Sequence, residues 1–114
     1  GHQLIAHHFG GEIRPGEKEF GEASFSHSAS SLFQNIPEKS TVWMNHGDSV
    51  FSLPEGFEIT GKTKDCSIAA FENLQKNIVS VQFHPEVTHS KYGMEMLENF
   101  VNMCGTKGNW NTQM

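Results

Sequence analysis

A histidine and a glutamate two residues apart are the residues of this sequence best suited to acid–base chemistry. They occur in the run Phe83-His84-Pro85-Glu86. Residues i and i+2 of an extended chain point to one side, and the residue before a proline avoids the helical region, so His84 and Glu86 can meet. A carboxylate at one imidazole nitrogen fixes the tautomer and leaves the other nitrogen to accept a proton from a thiol or hydroxyl. Taken alone the triplet is weak evidence, because an ordinary turn after a strand can contain the same residues.

Two further segments carry weaker signals. The tetrapeptide Asn45-His46-Gly47-Asp48 is predicted to form a tight polar loop after a strand. Its glycine could present backbone groups to a ligand, although the same residue types also form plain turns. The segment Gly1-His2-Gln3 opens a predicted helix, and a small residue there suits the sharp turn that follows a catalytic nucleophile.

The elements that must position these residues follow from hydrophobic periodicity and turn residues. Apolar residues at helical spacing predict a first helix over 3–9, which Gly10-Gly11 ends. The last helix is predicted over 90–104, with Gly105 as its C-terminal cap and a glycine- and asparagine-rich linker over 105–114. β-branched and aromatic runs predict strands between the helices. The predicted strands are 12–14, 21–27, 41–44, 57–62, 67–71 and 78–83, and a Pro15-Gly16 turn separates the first two. A helical turn is predicted at 30–33 and a polar turn at 72–77. Residues 49–53 fit either a short strand or a helical turn.

Length and charge narrow the classes of function. The sequence has 114 residues and 36% hydrophobic content, which fits one domain or a large piece of one. Its net charge is −5, and the eight basic residues are scattered, so general nucleic-acid binding is not expected. The apolar runs are short, so no membrane span is predicted.

Cysteine and histidine spacing predicts neither a disulfide framework nor a metal site. Cys66 and Cys104 are the two cysteines and have no C-x-x-C spacing, so a reduced, cytoplasmic setting is the default, with one disulfide left open. Cys66 lacks a flanking small-residue turn and Cys104 lies on the apolar face of the last helix, so neither is predicted to be a nucleophile. The seven histidines have no convincing metal-ligand spacing; His7 and His8 are read as partly exposed helix residues.

Considered together, the three segments resemble the class I (triad) glutamine amidotransferases in order and spacing. The resemblance spans essentially the whole chain and is nearest to the GMP synthetase branch of that family. It rests on GHQLIA at the start, TVWMNHGDSV, PEGF, VQFHPEVTHSKYG and the closing CGTKGNW. Asn45 is a small departure, since serine or threonine is frequent at that position in GMP synthetases.

The resemblance implies a fold, and it implies that the N-terminal part of the domain, with the nucleophile, would precede this chain. The implied fold is α/β and flavodoxin-like: a doubly wound, mostly parallel sheet with a small antiparallel sheet, whose N-terminal part would precede Gly1. The family's nucleophilic cysteine would stand two residues before Gly1, so the 114 residues alone are expected to be inactive. Residues 1–104 would then be the C-terminal part of the amidotransferase domain, and 105–114 would lead into an ATP-pyrophosphatase (synthetase) domain.

The resemblance also implies roles, partners and cofactors. His84 would be the catalytic base and Glu86 its orienting carboxylate; Gln3, Asn45, His46, Gly47 and Asp48 would bind glutamine. Ammonia would pass to the synthetase domain, which would hold ATP and Mg²⁺, and no cofactor is expected in this chain. Two alternatives remain at this stage: an amidotransferase of another pathway, such as the anthranilate or carbamoyl phosphate type, and a non-catalytic relative that only binds a partner.

Overall fold

A computed structural model describes residues 2–28, 30–86, 90–107 and 111–113, with backbone alone for 16–19, 104–107 and 111–113. The fold is α/β, and the described residues form two α-helices, one 3-10 turn and six strands. The helices are α1 (His2–His8) and α2 (Gly93–Lys107), and the 3-10 turn is Ser31–Phe33. The strands are β1 (Glu12–His27), β2 (Lys39–Ser52), β3 (Glu58–Lys62), β4 (Ala70–Asn73), β5 (Ile78–Val81) and β6 (Asn111–Gln113).

The two longest strands form a twisted antiparallel pair at one side of the sheet. β1 and β2 pair from Glu12 opposite Ser52 to Ser26 opposite Lys39. The register shifts between Pro15 and Glu19, where β1 carries two more residues than β2. Proline has no N–H to donate to the ladder, so it is tolerated at such a bulge. The turn predicted at Pro15-Gly16 is therefore a bulge inside one continuous strand.

The central strands are buried on both faces, because each face of the sheet packs against a separate apolar cluster. All four residues of β4 and all four of β5 are buried. On one face, Phe25, Val42, Val79 and Phe83 pack with Met96 of α2. On the other face, Ala6 of α1 packs with a second group of buried residues, namely Val50, Ile68, Phe71 and Ile78. The sheet thereby fixes both helices, one on each side.

The prediction of a mostly parallel sheet is wrong for the described residues. They form one six-stranded sheet in the order β2-β1-β3-β4-β5-β6, antiparallel at every pair except β5–β6. Parallel neighbours need a crossover of a dozen or more residues. Within the described ranges, α2 alone provides a helical crossover between paired strands; the connections from β3 to β4 and from β4 to β5 are short and return the chain antiparallel.

Element boundaries differ from the sequence prediction at several points. α1 ends as expected, because Gly10 adopts a positive φ of 99° and the N–H of Gly11 donates to Ala6 at 2.7 Å. Helix α2 begins at Gly93 rather than at residue 90, and it continues through Lys107, past the predicted cap. Glu72 lies buried in β4 rather than in a turn and accepts a hydrogen bond from the Ser30 hydroxyl at 2.7 Å.

Candidate active site

The His84–Glu86 pair forms as the sequence predicts. Nδ1 of His84 lies 3.3 Å from Oε2 of Glu86. A carboxylate only accepts at neutral pH, so Nδ1 is the donor in this contact, and Nε2 is the nitrogen left to accept a proton in the neutral ring. The side chains are 38% and 58% exposed. The pair lies just beyond the last residue of β5, Val81, so the predicted strand over 78–83 was two residues too long.

The predicted ligand-binding residues lie around one cavity with His84. The cavity encloses about 280 Å³. It is lined by His2, Gln3, Asn45, His46, Gly47, Asp48, Val81, Gln82 and His84. Segments far apart in sequence, at the start of α1, in the middle of β2 and after β5, therefore meet at a single pocket. Whether Gln3 and residues 45–48 bind glutamine there stays a prediction.

The residues at 45–48 lie inside strand β2, so the predicted polar loop is wrong. His46 is buried, whereas Asn45 and Asp48 are exposed. The β1 bulge lies opposite this stretch, since Pro15 pairs with Asp48 while Glu19 pairs with His46. Pairing with β1 thus overrides the turn preference of these residue types.

Two side chains donate hydrogen bonds to the backbone carbonyl of Asp48, a residue that lines the cavity. The amide nitrogen of Gln3 donates to this oxygen at 3.1 Å. Nδ1 of His46 also lies 3.1 Å from it, and must donate because a carbonyl oxygen only accepts. These contacts join α1 to β2 and orient two of the predicted binding residues before any ligand enters.

His2 is a site residue that the sequence reasoning did not single out. It is 3% exposed, and its Nε2 donates to the carbonyl of Ile68 at 2.8 Å. Its Nδ1 therefore accepts from the Ser80 hydroxyl, also at 2.8 Å. The ring lies against Phe71, with centroids 4.6 Å apart. His2 fixes the start of α1 to β5 and so places Gln3 at the cavity; its position next to Gln3 was the available signal.

Burial keeps the His2 ring neutral. Desolvation lowers the pKa of His2 from 6.5 to about 4, although the hydrogen bond to Ile68 raises it; the charge of His46 lowers it further. In the unfolded chain the ring binds a proton below about pH 6.5. Between the two values the unfolded state therefore holds a proton that the folded state lacks.

We expect the free energy of unfolding to fall as pH drops from 6.5 to 4, with His2 contributing a loss of about 3 kcal/mol. Below about pH 4 this contribution levels off, because both states are then protonated. Denaturant unfolding at several pH values measures it, and a His2→Gln variant should lose this part of the pH dependence. An imidazole signal of His2 that titrates near pH 6.5 in the folded protein would contradict the assignment.

Gln82 is a second lining residue not found from sequence. Its Oε1 is buried and has no hydrogen-bond partner among the residues that the structure describes. A buried acceptor without a partner is costly. The backbone N–H of Gln82 donates to the carbonyl of Ala69 at 2.8 Å, which fixes the chain just after β5.

The remaining expectations concern thiols, metals and membranes. Cys66 is 1% exposed in the core and does not line the cavity, whereas the side chain of Cys104 lies outside the described residues. In the described ranges, no three His, Cys, Asp or Glu side chains gather as a metal site would require. No helix within those ranges is long and apolar enough to span a membrane. Gly1, residues 87–89 and residues 108–110, which belong to the motifs, lie outside the described residues.

Comparison with known proteins decides the family. The family model for "Glutamine amidotransferase class-I" matches residues 1–104. The chain belongs to this family. Among the solved structures similar to this class I glutamine amidotransferase is a protein from Thermoplasma acidophilum that is described as one subunit of a GMP synthase. It superposes with a TM-score of 0.90 at 34% identity, over 94% of this chain and 55% of that one.

Proteins of similar sequence and one further solved structure agree with this family. A glutamine-hydrolysing GMP synthase of Streptococcus pneumoniae is 45% identical over 115 aligned residues, which cover 96% of this amidotransferase chain. The chain spans only 22% of that relative's length. A glutamine amidotransferase of Thermotoga maritima has a TM-score of 0.69 at 21% identity, over 94% of this chain and 44% of its own; at that identity it supports the fold alone.

Proposed function

We propose that this chain supplies the catalytic base and the substrate-binding residues of the glutaminase site of a GMP synthetase. The site would hydrolyse glutamine to glutamate and ammonia, and the ammonia would aminate xanthosine monophosphate. The observation that carries the proposal is the cavity that joins His84, held by Glu86, to Gln3 and the 45–48 stretch. Family membership supplies the reaction class, because class I amidotransferases use a cysteine, a histidine and a glutamate.

In the first half-reaction, Nε2 of His84 takes the proton of the cysteine thiol that the family places two residues before Gly1. The thiolate attacks the side-chain amide carbon of glutamine and forms a tetrahedral intermediate. The carbon–nitrogen bond then breaks, His84 returns its proton to the departing nitrogen, and ammonia leaves. A γ-glutamyl thioester remains on the sulfur.

In the second half-reaction, His84 takes a proton from water, and the resulting hydroxide attacks the thioester carbon. The carbon–sulfur bond breaks, glutamate leaves, and His84 gives the proton back to the sulfur. Each time His84 is protonated, Glu86 lies 3.3 Å from Nδ1 and stabilises the charged ring. The net reaction consumes glutamine and water and restores the thiol and the base.

The polar wall suits the amino-acid end of glutamine. Gln3, Asn45 and Asp48 line the cavity and have amide and carboxylate side chains. A carboxylate such as Asp48 attracts the α-ammonium, while side-chain amides can donate to the α-carboxylate. We therefore assign residues 3 and 45–48 to substrate binding and His84 with Glu86 to the chemistry.

The synthetase activity would belong to a domain following residues 1–104. We assign 105–114, of which 105–107 end α2 and 111–113 form β6, to the connection with that domain. ATP and Mg²⁺ would bind in that domain, and we place the protein in the reducing cytoplasm. Similarity to GMP synthases supports this pathway over the anthranilate and carbamoyl phosphate types. The retained His84–Glu86 contact supports an enzyme over a non-catalytic binding module.

The test is an assay of the full-length protein with xanthosine monophosphate, ATP and Mg²⁺, with glutamine as the only nitrogen source. We expect one glutamate for each GMP formed. Glutamate release without GMP would retain the glutaminase and reject the pathway. Absence of glutamate release, while an ammonium salt still supports GMP formation, would reject the glutaminase site itself.

A further inference from the structure

The exposed His84–Glu86 pair needs support from elsewhere. Both side chains are well exposed, at 38% and 58%, and exposed ion pairs contribute little to holding two side chains in one geometry. A general base must nevertheless stay within hydrogen-bond reach of the group that it deprotonates. The contacts that fix the backbone of His84 therefore decide where its imidazole lies.

Ser90 links the backbone of His84 to strand β2. Its hydroxyl donates to the carbonyl of His84 at 2.6 Å and accepts from the N–H of Trp43 at 2.9 Å. The N–H of His84 donates to the carbonyl of Trp43 at 3.0 Å. Both backbone groups of His84 are thus fixed to Trp43, one directly and one through the Ser90 hydroxyl.

This linkage occurs at the edge of the sheet. β2 is the outermost of the six described strands, so none of the others pairs with its outer edge. The Ser90 hydroxyl satisfies one backbone group there, and the N–H of Lys91 donates to the carbonyl of Thr41 at 2.9 Å. Ser90 is 4% exposed, so water would not readily replace a hydrogen bond lost at this site.

The start of α2 holds the same segment from the other side. A side-chain carbon on Gly93 would stand 1.7 Å from the carbonyl oxygen of Pro85, so only glycine permits this approach. The N–H of Gly93 donates to the carbonyl of Ser90 at 2.9 Å. Ser90 is therefore itself fixed, by α2 on one side and by β2 on the other.

We propose that Ser90 is a positioning residue for the catalytic base: its hydroxyl holds the His84 backbone against β2 and thereby aims the imidazole into the cavity. The inference rests on the proposed function of the His84 site. Ser90 touches neither the cavity nor Glu86 in the described contacts, so its effect must pass through the placement of His84. Without the hydroxyl, the His84 carbonyl and the Trp43 N–H each lose a partner.

The experiment compares Ser90→Ala, Ser90→Thr and Asn99→Ala in the full-length protein. Asn99, which lies in α2 away from the cavity, is the matched control, because its side-chain amide also contacts two backbone groups, the carbonyls of Leu32 and Gln34. We expect Ser90→Ala to lower glutamine-dependent kcat by about 10- to 100-fold, since a misplacement of roughly 1 Å can cost that much. KM for glutamine should change little, and ammonia-dependent turnover should be unchanged.

Ser90→Thr keeps the hydroxyl and should stay near the wild-type kcat, and Asn99→Ala should lose thermal stability with kcat retained. Equal glutamine-dependent kcat in Ser90→Ala and wild type would overturn the proposal, and so would equal losses with glutamine and ammonia. Amide hydrogen exchange provides a second readout: the Trp43 N–H should exchange faster in Ser90→Ala. An unchanged exchange rate of the Trp43 N–H in Ser90→Ala would overturn the linkage. This readout does not depend on glutaminase activity, so a failure of the Ser90 proposal can be told apart from a failure of the proposed function.

Discussion

Replacing His84 with alanine should reduce glutamine-dependent turnover of the full-length protein by about 10⁴-fold or more, because base and nucleophile act as a unit. The change removes the group that takes the thiol proton and later protonates ammonia. Turnover driven by an ammonium salt should be retained, since added ammonia bypasses the thioester. Steady-state GMP formation with each nitrogen source, on one preparation, measures both quantities.

A matched histidine provides the control for this substitution. His7 is exposed on α1 and does not line the cavity, so His7→Ala should leave both activities unchanged. If His84→Ala kept more than about one tenth of its glutamine-dependent turnover, another group would be the base. Equal losses with glutamine and ammonia would mean that His84 acts through folding or through contact with the synthetase domain.

Replacing Glu86 with glutamine should lower glutamine-dependent turnover by about 10²- to 10⁴-fold and spare turnover with ammonia. The amide keeps the shape of the carboxylate and removes its charge. Nδ1 of His84, now 3.3 Å from Oε2, would lose the charged acceptor that stabilises the protonated ring, and an amide NH₂ turned toward it would select the wrong tautomer. We expect a smaller effect than for His84→Ala, because the ring itself remains in place.

The comparison variant is Glu95→Gln, which removes an exposed carboxylate from the first turn of α2. It should leave both activities at the wild-type level. Glutamine-dependent turnover that is unchanged in Glu86→Gln would show that a different carboxylate orients His84. A parallel loss of ammonia-dependent turnover would assign Glu86 to folding.

The His84–Glu86 contact was predictable from sequence because it is local. Proline between the two residues restricts the backbone, and the i, i+2 relation brings both side chains to one side. Ser90 was not predictable in the same way. Its hydroxyl meets Trp43, 47 residues earlier, and that meeting depends on where β2 runs in the folded protein.

The conformation of residues 45–48 illustrates the opposite case. Asn, Gly and Asp favour turns, so sequence indicated a loop, yet the segment continues β2. The long pairing with β1 supplies backbone hydrogen bonds that local preference does not reveal, and the bulge near Pro15 absorbs the irregularity. Buried Glu72 was assigned to a turn for the same reason: its partner, Ser30, lies 42 residues away.

Sheet direction was also beyond what the strand pattern could give. The resemblance implied a mostly parallel sheet, and the described strands are antiparallel apart from β5–β6. Strand residues look alike in either arrangement, whereas connection length decides the direction. The short segments between β3, β4 and β5 favoured hairpins, and their length was the evidence in the sequence for antiparallel strands.

The most direct test is a crystal structure of the full-length protein after reaction with a glutamine analogue that alkylates the nucleophilic cysteine. We expect the α-amino and α-carboxylate groups of the bound analogue to contact Gln3 and residues 45–48, with Nε2 of His84 facing the modified sulfur. An analogue bound away from this wall, or a His84 ring turned from the sulfur, would contradict the assignment of this cavity as the glutaminase site.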